Sequence, residues 1–170
     1  MASGEINPGV ISKSPASNFG WAWVALCLAF ALHVTDEALT DFLSIYNPTV
    51  RAIRLHLPFL PLPTFTFKVW LIGLASVIGL LLALSPLAFR GARRMSPLAY
   101  VFGIIMLANG LQHIVGSIYM ERLMPGVYSS PLLLICVSSV TRRGLEFHEC
   151  ASQPKAHKYS AINAAFSGPA

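Results

Sequence analysis

The residues of this chain that could do acid–base or metal chemistry gather in two short stretches. ALHVTDEALTDF, residues 31 to 42, follows WAWVALCLAF, a run without charge. NGLQH, residues 109 to 113, sits inside a second apolar run. On an α-helix, His33, Asp36, Glu37, Thr40 and Ser44 share one stripe about 100° wide, while Val34 and Thr35 point elsewhere. Asn109, Gln112 and His113 form a second polar stripe, and Gly116 on it permits a neighbouring helix to approach closely.

Two imidazoles with one or two carboxylates suit a divalent metal, Zn²⁺ or Fe²⁺, with His33, Glu37 and His113 as ligands. Asn109, Gln112 and Thr40 are then placed to orient those ligands through hydrogen bonds. A metal held with an open position lowers the pKa of coordinated water and supports hydrolysis. Without a metal, His33, Glu37, His113 and Asp36 form an acid–base group able to move a proton within an apolar substrate. The spacing His-x-x-x-Glu is not His-Glu-x-x-His, so it carries no protease signature. The competing reading is a hydrogen-bonded network that glues helices together. Such contacts contribute ~0.6 kcal/mol on average in membranes, whereas an ionisable group in hydrocarbon costs ~2.5 kcal/mol or more. Carboxylates are a poor glue on those terms, and the balance favours a site.

The elements that must position these stripes follow from composition. Of 170 residues, 55% are hydrophobic and 11% charged, with a mean hydropathy of +0.62. Soluble domains carry about 25% charged residues, so the chain reads as an integral membrane protein and an all-α, four-span helix bundle. A span needs roughly 20 apolar residues. Candidate spans are 20–43, 65–89, 97–120 and a shorter 125–141, in which Pro131 is placed to kink the helix. They make up a transmembrane domain over 19–143, between a tail at 1–18 and a polar, disordered tail at 144–170. His33 lies about 18 Å along the first span from Trp21, and His113 about 24 Å along the third from Pro97. Both spans run outward, so the two rings fall at similar depths.

Between the first two spans, Asn47-Pro48 reads as an N-cap with proline at the first helical position. A short amphipathic helix follows, lying in the interface with Arg51 and Arg54 toward headgroups, and Pro58, Pro61 and Pro63 end it. Charge sets orientation. Lys13, Arg90, Arg93, Arg94, Arg142, Arg143, Lys155 and Lys158 fall on one side of the bundle, and Arg51, Arg54, Lys68 and Arg122 on the other. The positive-inside rule puts both termini in the cytoplasm. Asp41 and Glu121 read as solvated span ends and Arg122 as a headgroup contact. His56, His148 and His157 carry no assignment. Trp21, Trp23, Trp70 and Tyr119 suit an aromatic belt, and GLASVIG (73–79) a helix-packing face. Cys27, Cys136 and Cys150 form no disulfide framework. The first apolar run does not read as a cleaved signal peptide, and neither end carries a lipidation box.

HVTDE at 33–37 resembles the signature of the HXXEE family of small integral-membrane proteins. NGLQH (Asn109 and His113) is similar to that family's later Asn-x-x-x-His motif, and RLMPG (122–126) to a downstream Pro-Gly. The resemblance covers roughly residues 20 to 140. It implies a shared site and a suspicion of enzymatic activity, with no established reaction. Asp36 stands where the family pattern has glutamate and reaches one methylene less, which leaves Glu37 as the ligand or base. The expected function is a membrane-embedded enzyme acting on an apolar or lipid-like small molecule. The alternatives are a proton- or metal-binding transporter or sensor, and a structural subunit of a larger membrane complex. Expected partners are membrane lipids and a homo-oligomer or larger complex. Nucleic acid is not among them, because topology explains the excess of basic residues.

Overall fold

A computed structural model describes residues 14–152, with side chains as far as Glu146. Among the described residues every element is a helix: α1 Pro15–Leu39, α2 Leu43–His56, α3 Phe67–Ala83, α4 Ser85–Phe89, α5 Met95–Tyr119 and α6 Ser130–Ser152. Taking α3 and α4 together as Phe67–Phe89, three helical segments among the described residues are long and apolar enough to cross a membrane, the others being α1 and α5.

Local chemistry sets the helix ends. Ser14 caps α1 by accepting from Ser17 N–H, with Pro15 in the first turn where its missing N–H costs nothing. Thr66 caps α3 in the same way through Val69 N–H. At the other end, α1 stops at Thr40 because Asp41 takes a left-handed conformation (φ 54°) and Phe42 N–H returns to Glu37 C=O at 3.0 Å. α5 repeats the device with Glu121 (φ 52°) and Arg122 N–H bonded to Ser117 C=O at 3.2 Å. Both are Schellman-type endings.

α6 packs along both α1 and α5, and α3 packs against α1. α6 runs opposite to its neighbours: Gly144 lies beside Phe19 and Tyr100 near their starts, while Ser130 and Leu134 lie beside Gly110. Phe19, Trp23, Leu26 and Phe30 of α1 meet Phe102 and Met106 of α5 and Leu133, Val137 and Val140 of α6 in one buried core. The result is a framework in which α6 joins α1 to α5 and holds their polar ends at one level.

Several sequence expectations change. The first span ends at Leu39, not at residue 43, so Ser44 belongs to α2 and leaves the polar stripe. Asn47 caps nothing. α2 has already begun at Leu43, and the Asn47 side chain brackets the backbone of Phe65, donating to its C=O at 2.9 Å and accepting from its N–H at 3.1 Å. Pro131 kinks nothing, because it stands in the first turn of a helix that starts at Ser130. That helix continues through Ser152, and α1 begins at Pro15, so both extend into the stretches assigned to tails. Trp23 is fully buried and its Nε1–H donates to Leu81 C=O at 3.1 Å, so it ties α3 to the core instead of joining a belt. Trp70 is also buried, while Trp21 and Tyr119 are exposed. In GLASVIG the small residues do not make the packing face: a Cβ on Gly73 or Gly79 would meet nothing within 4 Å, and it is Leu74 and Ile78 that pack against the core. His157 lies outside the described residues, as do the side chains of His148 and Cys150.

Candidate functional site

One turn separates His33 from Glu37 on α1, and His113 faces both from α5. His33 and His113 are 0% exposed and Glu37 is 4% exposed. The two rings meet edge to face with centroids 4.9 Å apart. Glu37 Oε1 lies 3.0 Å from His113 Nε2 and 3.6 Å from His33 Nε2. One ligand atom from each residue falls within 4.8 Å of the others, so the group could hold a metal ion. Ligands ~2.1 Å from a tetrahedral ion stand about 3.4 Å apart, so the three atoms would draw in from their present spacing around it.

The surroundings of the two imidazoles differ. Ser129 donates to Asp36 Oδ2 from both its N–H (2.9 Å) and its hydroxyl (2.8 Å). Gly126 C=O, at 3.2 Å, is the weaker competitor for that one hydroxyl proton. Having given it to a carboxylate, Ser129 Oγ accepts from His33 Nδ1 at 2.9 Å. His33 Nδ1 therefore carries the proton, a tautomer assigned by hydrogen-bond logic. His33 Nε2 is left with its lone pair, and accepts from Asn109 Nδ2 at 2.9 Å. Asn109 Oδ1 in turn accepts from Gln112 Nε2 at 2.9 Å. A carboxylate behind the far nitrogen of an imidazole is the arrangement that orients histidine toward a metal.

His113 has no such support. Both of its ring nitrogens are buried without a hydrogen bond, the 3.0 Å approach of Nε2 to Glu37 being poorly directed. Buried polar atoms are nearly always satisfied, so an orphaned imidazole beside a carboxylate fits a group that takes up an ion.

The connection from α5 to α6 closes over the cluster. Ser117 Oγ donates to His113 C=O at 2.7 Å and accepts from Met124 N–H at 2.9 Å, drawing the chain back across α5. Gly126 then lies against the site with φ 85°, and a Cβ there would stand 3.0 Å from both Glu37 Cγ and His113 Cε1. Only glycine combines that backbone angle with that approach. Ser130 Oγ donates to Gly126 C=O at 2.8 Å and holds it in place.

Among the described residues, a cleft and a smaller pocket reach the cluster. A cleft of about 580 Å³ between α1, α3 and α5 touches Glu37, Asn109 and Gln112. A smaller pocket of about 210 Å³ reaches His113 past Thr49, Gly116 and Met124. Phe42, Tyr46 and Gln112 line both and separate them.

His-x-x-Asp-Glu on one helix, Asn-x-x-x-His on another and a Pro-Gly folded over them thus form one constellation. A family model described as a protein of unknown function with HXXEE motif matches residues 23–141. The chain belongs to the HXXEE family. No curated protein and no solved structure matches it. In this HXXEE chain the matched stretch contains the whole cluster, including Asp36, whose shorter side chain bonds Ser129 and so acts on His33 from behind. Of the residues anticipated from sequence, His33, Asp36, Glu37, Asn109, Gln112 and His113 come together. Thr40 does not: it is exposed, and its hydroxyl bonds Asp36 C=O at the end of α1. Ser129 was missed. Its signal was the pair Ser129-Ser130 before Pro131, a helix-start pattern hidden inside a stretch read as continuous span.

Proposed function

We propose that this HXXEE protein is a membrane-embedded enzyme in which His33, Glu37 and His113 hold a divalent ion, Zn²⁺ or Fe²⁺, and act on a lipid-like or apolar substrate. The observation that carries the reading is the convergence of three buried ligand atoms within 4.8 Å, one of them on an imidazole already oriented by Ser129 and Asp36. A network serving only as glue would satisfy its members. Here His113 is left without a hydrogen bond. Such an ion supplies Lewis acidity toward water or a carbonyl or phosphoryl oxygen.

The chain's own residues do the remaining work. Ser129 and Asp36 hold His33 with Nε2 forward. Asn109, released from that nitrogen, presents an N–H to the substrate while Gln112 holds its carbonyl. Gly126 and the packing of Phe42 on His113 exclude water from one side.

In this proposal the chain crosses the bilayer four times, with α6 as the fourth crossing. α2 lies in the interface and both termini are cytoplasmic, as the distribution of Lys and Arg favours. The cluster then sits near the outer ends of α1 and α5.

Elemental analysis of the detergent-purified protein tests the ion. Wild type is expected to carry about one Zn or Fe per chain, and His33→Ala and His113→Ala to lose it. Equal metal in all three removes the ion from the mechanism. Glu37→Gln is expected to fold yet lose turnover of a panel of lipid esters and amides. A structural subunit would instead show cluster variants that lose assembly with a fixed partner.

A further inference from the structure

The larger cleft has two unlike ends. Its walls are Phe30 of α1, Trp70 and Leu74 of α3, and Ile105 and Ala108 of α5, and at the cluster it meets Glu37, Asn109 and Gln112. α3 packs against α1 and makes at most marginal contact with α5, so the cleft opens sideways between them. Its volume, about 580 Å³, falls in the range of small-molecule sites. From Ile104 to Gln112 it follows α5 for about 12 Å, enough for part of a long chain whose remainder stays in the bilayer.

Charge narrows the occupant. Among the described residues no lysine or arginine lines the cleft, so an anionic head would be desolvated beside the Glu37 carboxylate without a counter-ion. A divalent ion does not reverse this, because Glu37 and Asp36 together match its charge. The polar end instead offers neutral hydrogen-bonding groups. Once an ion takes His33 Nε2, both N–H groups of Asn109 Nδ2 are free to donate, and one is free even while the other stays on His33. Gln112 uses one N–H on Asn109 and keeps its Oε1 to accept. A hydroxyl or an N–H amide satisfies both, whereas an ester has no proton to give Gln112.

Resting on the enzymatic reading above, we infer that the substrate is an uncharged long-chain amphiphile that enters from the bilayer between α3 and α5, with a hydroxyl or amide group at Asn109 and Gln112.

Trp70 in the cleft wall provides the readout. The full chain is reconstituted in phosphatidylcholine vesicles and titrated with two probes, a monoacylglycerol and a free fatty acid, both brominated on the chain. The difference between wild type and Trp70→Phe isolates quenching of Trp70. The neutral probe is expected to quench at concentrations about tenfold lower than the anionic one. Ala108→Phe, a substitution at an exposed cleft position, should abolish that preference while leaving the metal content unchanged. Four results would overturn the inference: equal quenching by the fatty acid, no effect of Ala108→Phe, quenching by brominated phosphatidylcholine to which monoacylglycerol adds nothing, or protection of Trp70 from every probe by a second copy. Metal content on the same preparation separates the two readings. A chain that keeps its ion but shows no preference loses the substrate class alone, whereas one that binds the neutral probe without an ion keeps the ligand and loses the ion.

Discussion

The two nitrogens of His33 have different tasks, and the difference is set by a residue from the loop that leads into α6. Ser129 Oγ accepts from His33 Nδ1–H because its own proton is committed to Asp36. Replacing Ser129 with alanine, or Asp36 with asparagine, should leave the three ligands in place but lower affinity for Zn²⁺ about 10- to 100-fold, with Ser129→Thr recovering most of the loss. Competition with a chromophoric chelator measures this. Unchanged affinity in Ser129→Ala would mean that the hydroxyl only fills space. Gly126 imposes a stricter limit. Alanine there pays a left-handed backbone cost of about 1–2 kcal/mol and presses on Glu37 and His113 as well. Gly126→Ala should therefore lower both the unfolding midpoint in detergent and the metal content. The chemistry-bearing residues themselves were legible in sequence, because helical periodicity alone puts His33 with Glu37 and Asn109 with His113. Ser129 was not, because its position depends on a loop returning across α5, a tertiary event that leaves only a Ser-Ser-Pro pattern.

Among the helices, the ends of α1 and α5 decide where the cluster can sit. Each closes with an acid in the left-handed region, Asp41 at φ 54° and Glu121 at φ 52°, where glycine is the usual occupant. Glycine at either position should stabilise the fold by about 1 kcal/mol, more at 121 than at 41 because aspartate tolerates this conformation better than glutamate. Thermal unfolding in detergent checks the order. A loss of stability in Glu121→Gly would show that the carboxylate has a partner that outweighs the strain. These ends also explain which boundaries sequence could locate. The apolar run continues through Phe42 and Leu43, so hydropathy extends the first span past Leu39. The break comes from backbone geometry at Asp41, which no periodicity records. Trp23 misleads similarly. A tryptophan near a span's start suits an interfacial belt, yet here its indole N–H finds Leu81 C=O across α3.

For the whole molecule, the question is whether α6 crosses. Counted by itself it falls short of the apolar run that α1 and α5 present, because Arg142, Arg143 and Glu146 occupy its later turns. Its packing gives those charges a place. Ser129, just ahead of α6, bonds Asp36 near the end of α1, and Gly144 lies beside Phe19 near the start. The helix therefore returns over nearly the full length of α1, and if α1 spans the bilayer, α6 does so beside it. Its apolar residues from Leu132 to Val140 then lie at hydrocarbon depth, and Arg142 and Arg143 emerge at the headgroups where α1 begins, a placement the positive-inside rule favours. The chain should accordingly expose both termini on the same face. Reporter fusions active only in the cytoplasm, placed after residue 170 and before residue 1, are expected to be active at both ends. Activity at one end alone would leave α6 on the surface, and would place His33 and His113 in a bundle too open to exclude water.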